Sequence, residues 1–188
     1  MSASMFHLST ARLVWPDAPV VYYIGNLAPD CADIRACKDH THFRDRPDRW
    51  AALDELRLRT ESEDAYGQGI LMHLYLDCVW DELVFESFQR LGVARYRQEI
   101  ARASAYMYHH EPWIAALWER MAACPPAEYA TREAFPEEKV RDYVAENRRW
   151  HIRTEGTPSD VYPPAFCKDF IVKTAADFLK WHKVGVIH

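Results

Sequence analysis

The 188-residue sequence predicts an all-helical single domain spanning residues 1–188, a bundle of about six to eight helices. Three observations carry this expectation. Apolar residues recur at three- and four-residue spacing through most of the chain, no segment finds a good partner strand, and six glycines are too few for a turn-rich β architecture. With 49% apolar residues and seven Trp, a chain of this length buries a substantial core without disulfide staples.

Ser4 is placed to cap a first helix ending near Leu13, because Trp15-Pro16-Asp17-Ala18-Pro19 cannot continue it. Val20 to Leu27 fits strand or helix by periodicity, and the lack of a partner strand favours helix. Ala28 to Pro47 is polar and aperiodic, and long loops of this kind often carry function. Arg49 to Thr60 is amphipathic, with its arginines on a solvated face.

Ser62-Glu63-Asp64 opens the strongest helix, which runs to Leu91 and stops at Gly92. Its middle, Ile70 to Trp80, is apolar almost all round and belongs at the centre of a bundle. Ala94 to Ala123 reads as helix interrupted at Glu111-Pro112 and ended by Pro125-Pro126. Pro136 starts a further helix towards Arg153, and Ala165 to Lys183 forms the last.

A net charge of −5 argues against non-specific phosphate-backbone binding, so no stable nucleic-acid complex is expected. The opening residues show no basic region followed by an apolar stretch, and no run is long and apolar enough to span a bilayer. The five cysteines are odd in number and lack Cys-x-x-Cys spacing, which fits a reducing compartment; the expectation is a cytoplasmic protein. Cys31 and Cys37 could ligate zinc, but small loop or buried thiols explain them as well.

The chemistry centres on Gly69-x3-His73-x3-Asp77. His73 and Asp77 are four residues apart, so they project from one face of an apolar helix, where an ionised carboxylate needs a cation. A divalent metal satisfies both groups; a hydrogen-bonded structural pair is the alternative. Gly69, one turn earlier, makes room either for a metal cluster or for a neighbouring backbone. A site needs more donors, and His7, Asp30 and His40 or His42 are the candidates. Mixed imidazole and carboxylate donors suit zinc, iron or manganese. Trp80, Tyr66 and Tyr75 could line a substrate wall or simply belong to the core.

Phe6-His7-Leu8, Tyr23-Ile24-Gly25-Asn26-Leu27-Ala28-Pro29-Asp30, Lys38-Asp39-His40-Thr41-His42-Phe43 and Gly69-x3-His73-x3-Asp77-x2-Trp80 occur in an order that resembles the zinc-dependent phospholipase C family. The resemblance covers roughly the first half of the chain. That family is all-helical, is related in fold to zinc nucleases acting on single strands, and hydrolyses phosphoesters. The resemblance implies His7, Asp30, His42, His73 and Asp77 as metal ligands, with Asp30 bridging, and selects His42 over His40. His109, His110, His151 and Glu155 offer the spacing of the family's later ligands in a different context, which points to one or two metals rather than three.

The reaction so implied is hydrolysis of a small-molecule phosphoester by a metal-activated water, with Asp30 and Lys38 in the catalytic machinery, Lys38 or a nearby Arg neutralising a phosphate oxygen. Two other classes compete: an HD-type nucleotide phosphohydrolase, although no adjacent His-Asp pair sits on a helix, and a non-catalytic regulatory domain with a structural metal.

Overall fold

A computed structural model describes residues 3–32, 35–129 and 135–183, and those residues form helices joined by short turns, with no β-strand among them. The helices are α1 (Ser4–Val14), α2 (Val20–Leu27), α3 (Arg35–Thr41), α4 (Arg49–Arg59), α5 (Ala65–Leu91), α6 (Val93–His110), α7 (Ile114–Ala123), α8 (Glu137–Arg153) and α9 (Pro164–Lys183). The all-helical expectation holds, and so does the placement of its longest element. Two details differ. Ser4 is the first residue of α1 rather than its cap, and its hydroxyl donates to Asn147 Oδ1 of α8 at 2.8 Å. The segment Ala28 to Pro47 is not a structureless loop: it holds a 3-10 turn, Ala28–Cys31, and the two-turn helix α3.

Helix ends follow the local chemistry. The Asp48 carboxylate accepts from Ala51 N at 2.9 Å and Asp64 from Gly67 N at 2.8 Å, which caps α4 and α5. Gly92 takes φ +74°, a conformation open to glycine, and so turns α5 into α6. Pro112 falls in the break between α6 and α7, where its missing N–H costs nothing.

α5 is the central element and packs against α1, α2, α4, α6 and α9. One end of its buried face builds an aromatic core: Trp80 lies 4.9 Å from Phe6 and 5.0 Å from Phe170, ring centre to ring centre, and its indole N–H donates to Tyr96 Oη at 2.7 Å. Tyr75 packs against Trp50, Phe178 and Trp181. Trp80, Tyr66 and Tyr75 are therefore core residues, not a substrate wall. The central helix thus brings a buried His–Asp pair to a place where α1, α2 and the 3-10 turn converge. Among the described residues no helix is long and apolar enough to cross a membrane.

Candidate metal centre

His7 from α1, Asp30 from the 3-10 turn, His42 from the turn just after α3, and His73 and Asp77 from α5 come together in the interior. Two overlapping groups, His7 with Asp30 and His73, and His42 with His73 and Asp77, each present their donor atoms within 4.8 Å of one another. Such groups can hold a metal ion. The Nε2 atoms of His42 and His7 lie 3.4 and 3.5 Å from the Asp77 carboxylate, and the His7 and His73 rings stack with centres 3.8 Å apart.

The tautomers are fixed by what lies behind the rings. His73 Nδ1–H donates to the Asn26 carbonyl at 2.8 Å and His42 Nδ1–H donates to the Lys38 carbonyl at 2.8 Å. A carbonyl oxygen only accepts, so in each neutral ring the lone pair is on Nε2. Those two Nε2 atoms face each other at 3.1 Å. Burial holds both imidazoles below the usual histidine range, His73 strongly, which removes the proton that would otherwise bridge them. Two lone pairs at this separation repel unless a cation lies against them.

The carboxylates are ionised. Burial alone would raise them, but the positive charge around Asp30, with the Lys38 ammonium at 2.9 Å, holds it at about 2, and hydrogen bonding from His7 with the neighbouring charges holds Asp77 well below the usual carboxylate range. Asp30 Oδ1 has the Lys38 ammonium at 2.9 Å as an ion pair but no aligned donor, so the buried oxygen keeps an unused lone pair. Neutral imidazoles, ionised carboxylates and an under-satisfied oxygen form a donor set that fits a divalent cation.

Positive charge closes the outer side. Phe43 adopts a left-handed φ of 57° just beyond α3 and reverses the chain, which carries Arg44 back over the site. Arg44 Nη2 reaches Asp77 at 3.3 Å and Asp81 at 2.7 Å, and Arg49 Nη1 meets the same Asp81 oxygen at 2.8 Å. Arg49 thus departs from the solvated face expected of α4. Beside these residues a cavity of about 440 Å³ opens between α4 and α5, lined by Arg49, Trp50, Cys78, Asp81 and Glu82. None of the five clustered residues lines it; Asp81, which does, stands one helical turn from Asp77 on α5.

His40 of α3 is exposed and pairs with Asp45 at 2.7 Å, so His42, in the turn just after α3, is the histidine that joins the cluster. Cys31 is buried, Cys37 exposed, and neither belongs to a metal-competent group among the described residues. The later candidates lie elsewhere. His109 bonds the Thr154 carbonyl, His110 the Tyr106 carbonyl, and Glu155 is exposed. Both ring nitrogens of His151 are engaged, by Ser104 Oγ at 2.9 Å and the Asn147 carbonyl at 2.9 Å.

His151 carries a pH prediction of its own. Burial lowers it to about 4 from 6.5, so below pH 6.5 the unfolded chain binds a proton that the folded chain refuses. Its stabilising contribution is complete above pH 6.5 and is lost as pH falls towards 4, about 3 kcal/mol over that window. Urea titrations at pH 7 and pH 4 should show that part of the pH dependence missing in His151→Phe; an identical dependence in the variant would refute the assignment.

Sequence reasoning did not single out Asn26, Arg44, Arg49 or Tyr143, whose phenol lies 3.5 Å from Asp30 Oδ2. Asn26 acts through its backbone carbonyl, which any residue supplies. Arg44-Asp45-Arg46 was visible only as part of a polar stretch. No protein-family model, curated protein or solved structure matches the chain.

Proposed function

We propose that the protein is a divalent-metal-dependent hydrolase of small phosphoesters, with zinc as its metal and His7, Asp30, His42, His73 and Asp77 as the ligands. The observation that carries this reading is the pair of Nε2 lone pairs facing each other at 3.1 Å between two ionised carboxylates. Evolved cores do not leave such an arrangement uncompensated. Three imidazoles and two carboxylates suit zinc ahead of the harder cations, and iron or manganese remain chemically compatible. The ordered motifs that resemble zinc-dependent phospholipase C support the same chemistry.

A bound divalent ion supplies Lewis-acid polarisation of a phosphoryl oxygen and a water acidic enough to react near neutral pH. The chain's own residues do the rest. Asn26 and Lys38 carbonyls orient His73 and His42, and the apolar packing around α5 excludes bulk water from the ligands. Lys38 and Arg44 place positive charge at the outer side of Asp30 and Asp77, where a phosphate oxygen would be bound and its charge neutralised. The cavity beside Arg49 and Trp50 is the place for the rest of a small substrate.

Elemental analysis of protein purified without added metal, followed by assay against p-nitrophenyl phosphate and bis-p-nitrophenyl phosphate, tests this directly. Stoichiometric zinc with turnover of either ester is the expected result. Metal without turnover of any phosphoester would leave a structural metal in a regulatory domain, and absence of metal binding would overturn the site.

A further inference from the structure

We propose that one face of α8 is the brace that positions His7 and Asp30 for metal, with Tyr143 the positioning residue for Asp30; this rests on the metal reading above. Tyr143, Asn147 and His151 stand at four-residue spacing, so their side chains share one face of the helix. Each reaches an N-terminal ligand-bearing element or its support. The Tyr143 phenol lies 3.5 Å from Asp30 Oδ2. Asn147 Oδ1 accepts from Ser4 Oγ at 2.8 Å. His151 holds Ser104, whose hydroxyl oxygen accepts from Met5 N at 3.4 Å. Ser4 and Met5 form the turn of α1 directly before His7.

The stripe therefore touches α1 and the 3-10 turn, the two elements that supply His7 and Asp30. Those two residues belong to one of the metal-competent groups, the one they form with His73. His42 and His73 are oriented differently, by the Lys38 and Asn26 carbonyls. α8 contributes no ligand to either group among the described residues, yet its polar face is spent on the supports of one of them.

The geometry at Asp30 gives Tyr143 its role. A carboxylate oxygen only accepts, so the phenol O–H is the donor of this contact. It engages Oδ2, while Oδ1 points to Lys38 at 2.9 Å and His42 Nε2 at 3.7 Å. Fixing Oδ2 from behind stops the carboxylate from rotating to give both oxygens to Lys38, and so keeps Oδ1 available to a cation. Partners behind metal ligands typically change metal affinity by about 10–100-fold.

Titration of the full metal-free chain with Co²⁺ alone, followed by its d–d absorption, distinguishes bracing from packing. Tyr143→Phe should weaken Co²⁺ binding by about tenfold and move the d–d band, while the metal-free melting temperature stays at the wild-type value. Ser4→Ala should weaken binding in the same direction. Leu53→Ala, which opens the core beneath α4, should lower the melting temperature without moving the band. A Tyr143→Phe protein that matches wild type in affinity and band overturns the proposal, as does one that loses stability with an unmoved band. Wild-type protein that binds no Co²⁺ overturns the metal reading itself, a different outcome from either.

Discussion

Asp77→Ala is expected to reduce bound zinc to background and to abolish the thermal stabilisation that zinc confers. Asp77 is the carboxylate that meets all three histidines of the cluster: His7 at 3.5 Å, His42 at 3.4 Å and His73 at 3.9 Å. A ligand that binds only the folded chain stabilises it by about 2.7 kcal/mol at a hundredfold excess over its dissociation constant. For a chain of this size that is a rise of about 5–10 °C in melting temperature. Wild type should show that rise on addition of zinc, and Asp77→Ala should show none.

The metal-free variant should unfold below the metal-free wild type, because His7, His42 and Arg44 lose their buried carboxylate partner, so the effect of zinc is read within each protein as the shift on its addition. Phosphoester turnover should fall by about a thousandfold or more, roughly 4 kcal/mol of barrier, since the metal is asked to supply most of the transition-state charge stabilisation. Differential scanning fluorimetry with and without zinc, paired with elemental analysis, reads the outcome. Asp77→Ala protein that retains stoichiometric zinc would show that the ion sits elsewhere.

The parts of this molecule that were legible in the sequence are those written in local spacing. The apolar run of α5 and the four-residue step from His73 to Asp77 are properties of one helix, and both read correctly. α3 did not read because two turns are too short to display an amphipathic pattern. Ser4 has the chemistry of a cap, but a partner 143 residues away competes for its hydroxyl and wins. Tyr143 meets Asp30 across 113 residues, and no spacing rule reaches that far. The histidines and carboxylates of the candidate site were thus visible as residue types, whereas the carbonyls, arginines and phenol behind them became visible only through tertiary contact.

Gly69 shows how close packing and the site depend on each other, and Gly69→Ala is expected to destabilise the protein by about 3 kcal/mol or more. In a free helix the change would stabilise by about 1 kcal/mol. Here a Cβ would stand 2.0 Å from the Tyr22 carbonyl oxygen and 2.7 Å from Asn26 N, both backbone atoms of α2 that cannot rotate away. Gly25 mirrors the contact from the other side, its Cβ position lying 2.1 Å from the Tyr66 carbonyl oxygen. Of the two explanations open at the sequence level, room for a metal or room for a backbone, the structure selects the backbone. To accept a methyl group α2 and α5 must part by about 1 Å, since carbon and oxygen do not approach much below about 3.0 Å. That separation stretches two bonds that cross the interface, Asn26 Nδ2 to the Gly69 carbonyl at 3.3 Å and His73 Nδ1 to the Asn26 carbonyl at 2.8 Å. The second fixes the tautomer of His73, so loosening the helix pair frees the imidazole to turn. Urea denaturation should therefore give a lower midpoint for Gly69→Ala, and zinc titration of the fraction that remains folded should give weaker binding. A variant with wild-type stability and weakened zinc binding would instead mean that the glycine clears space for the ion.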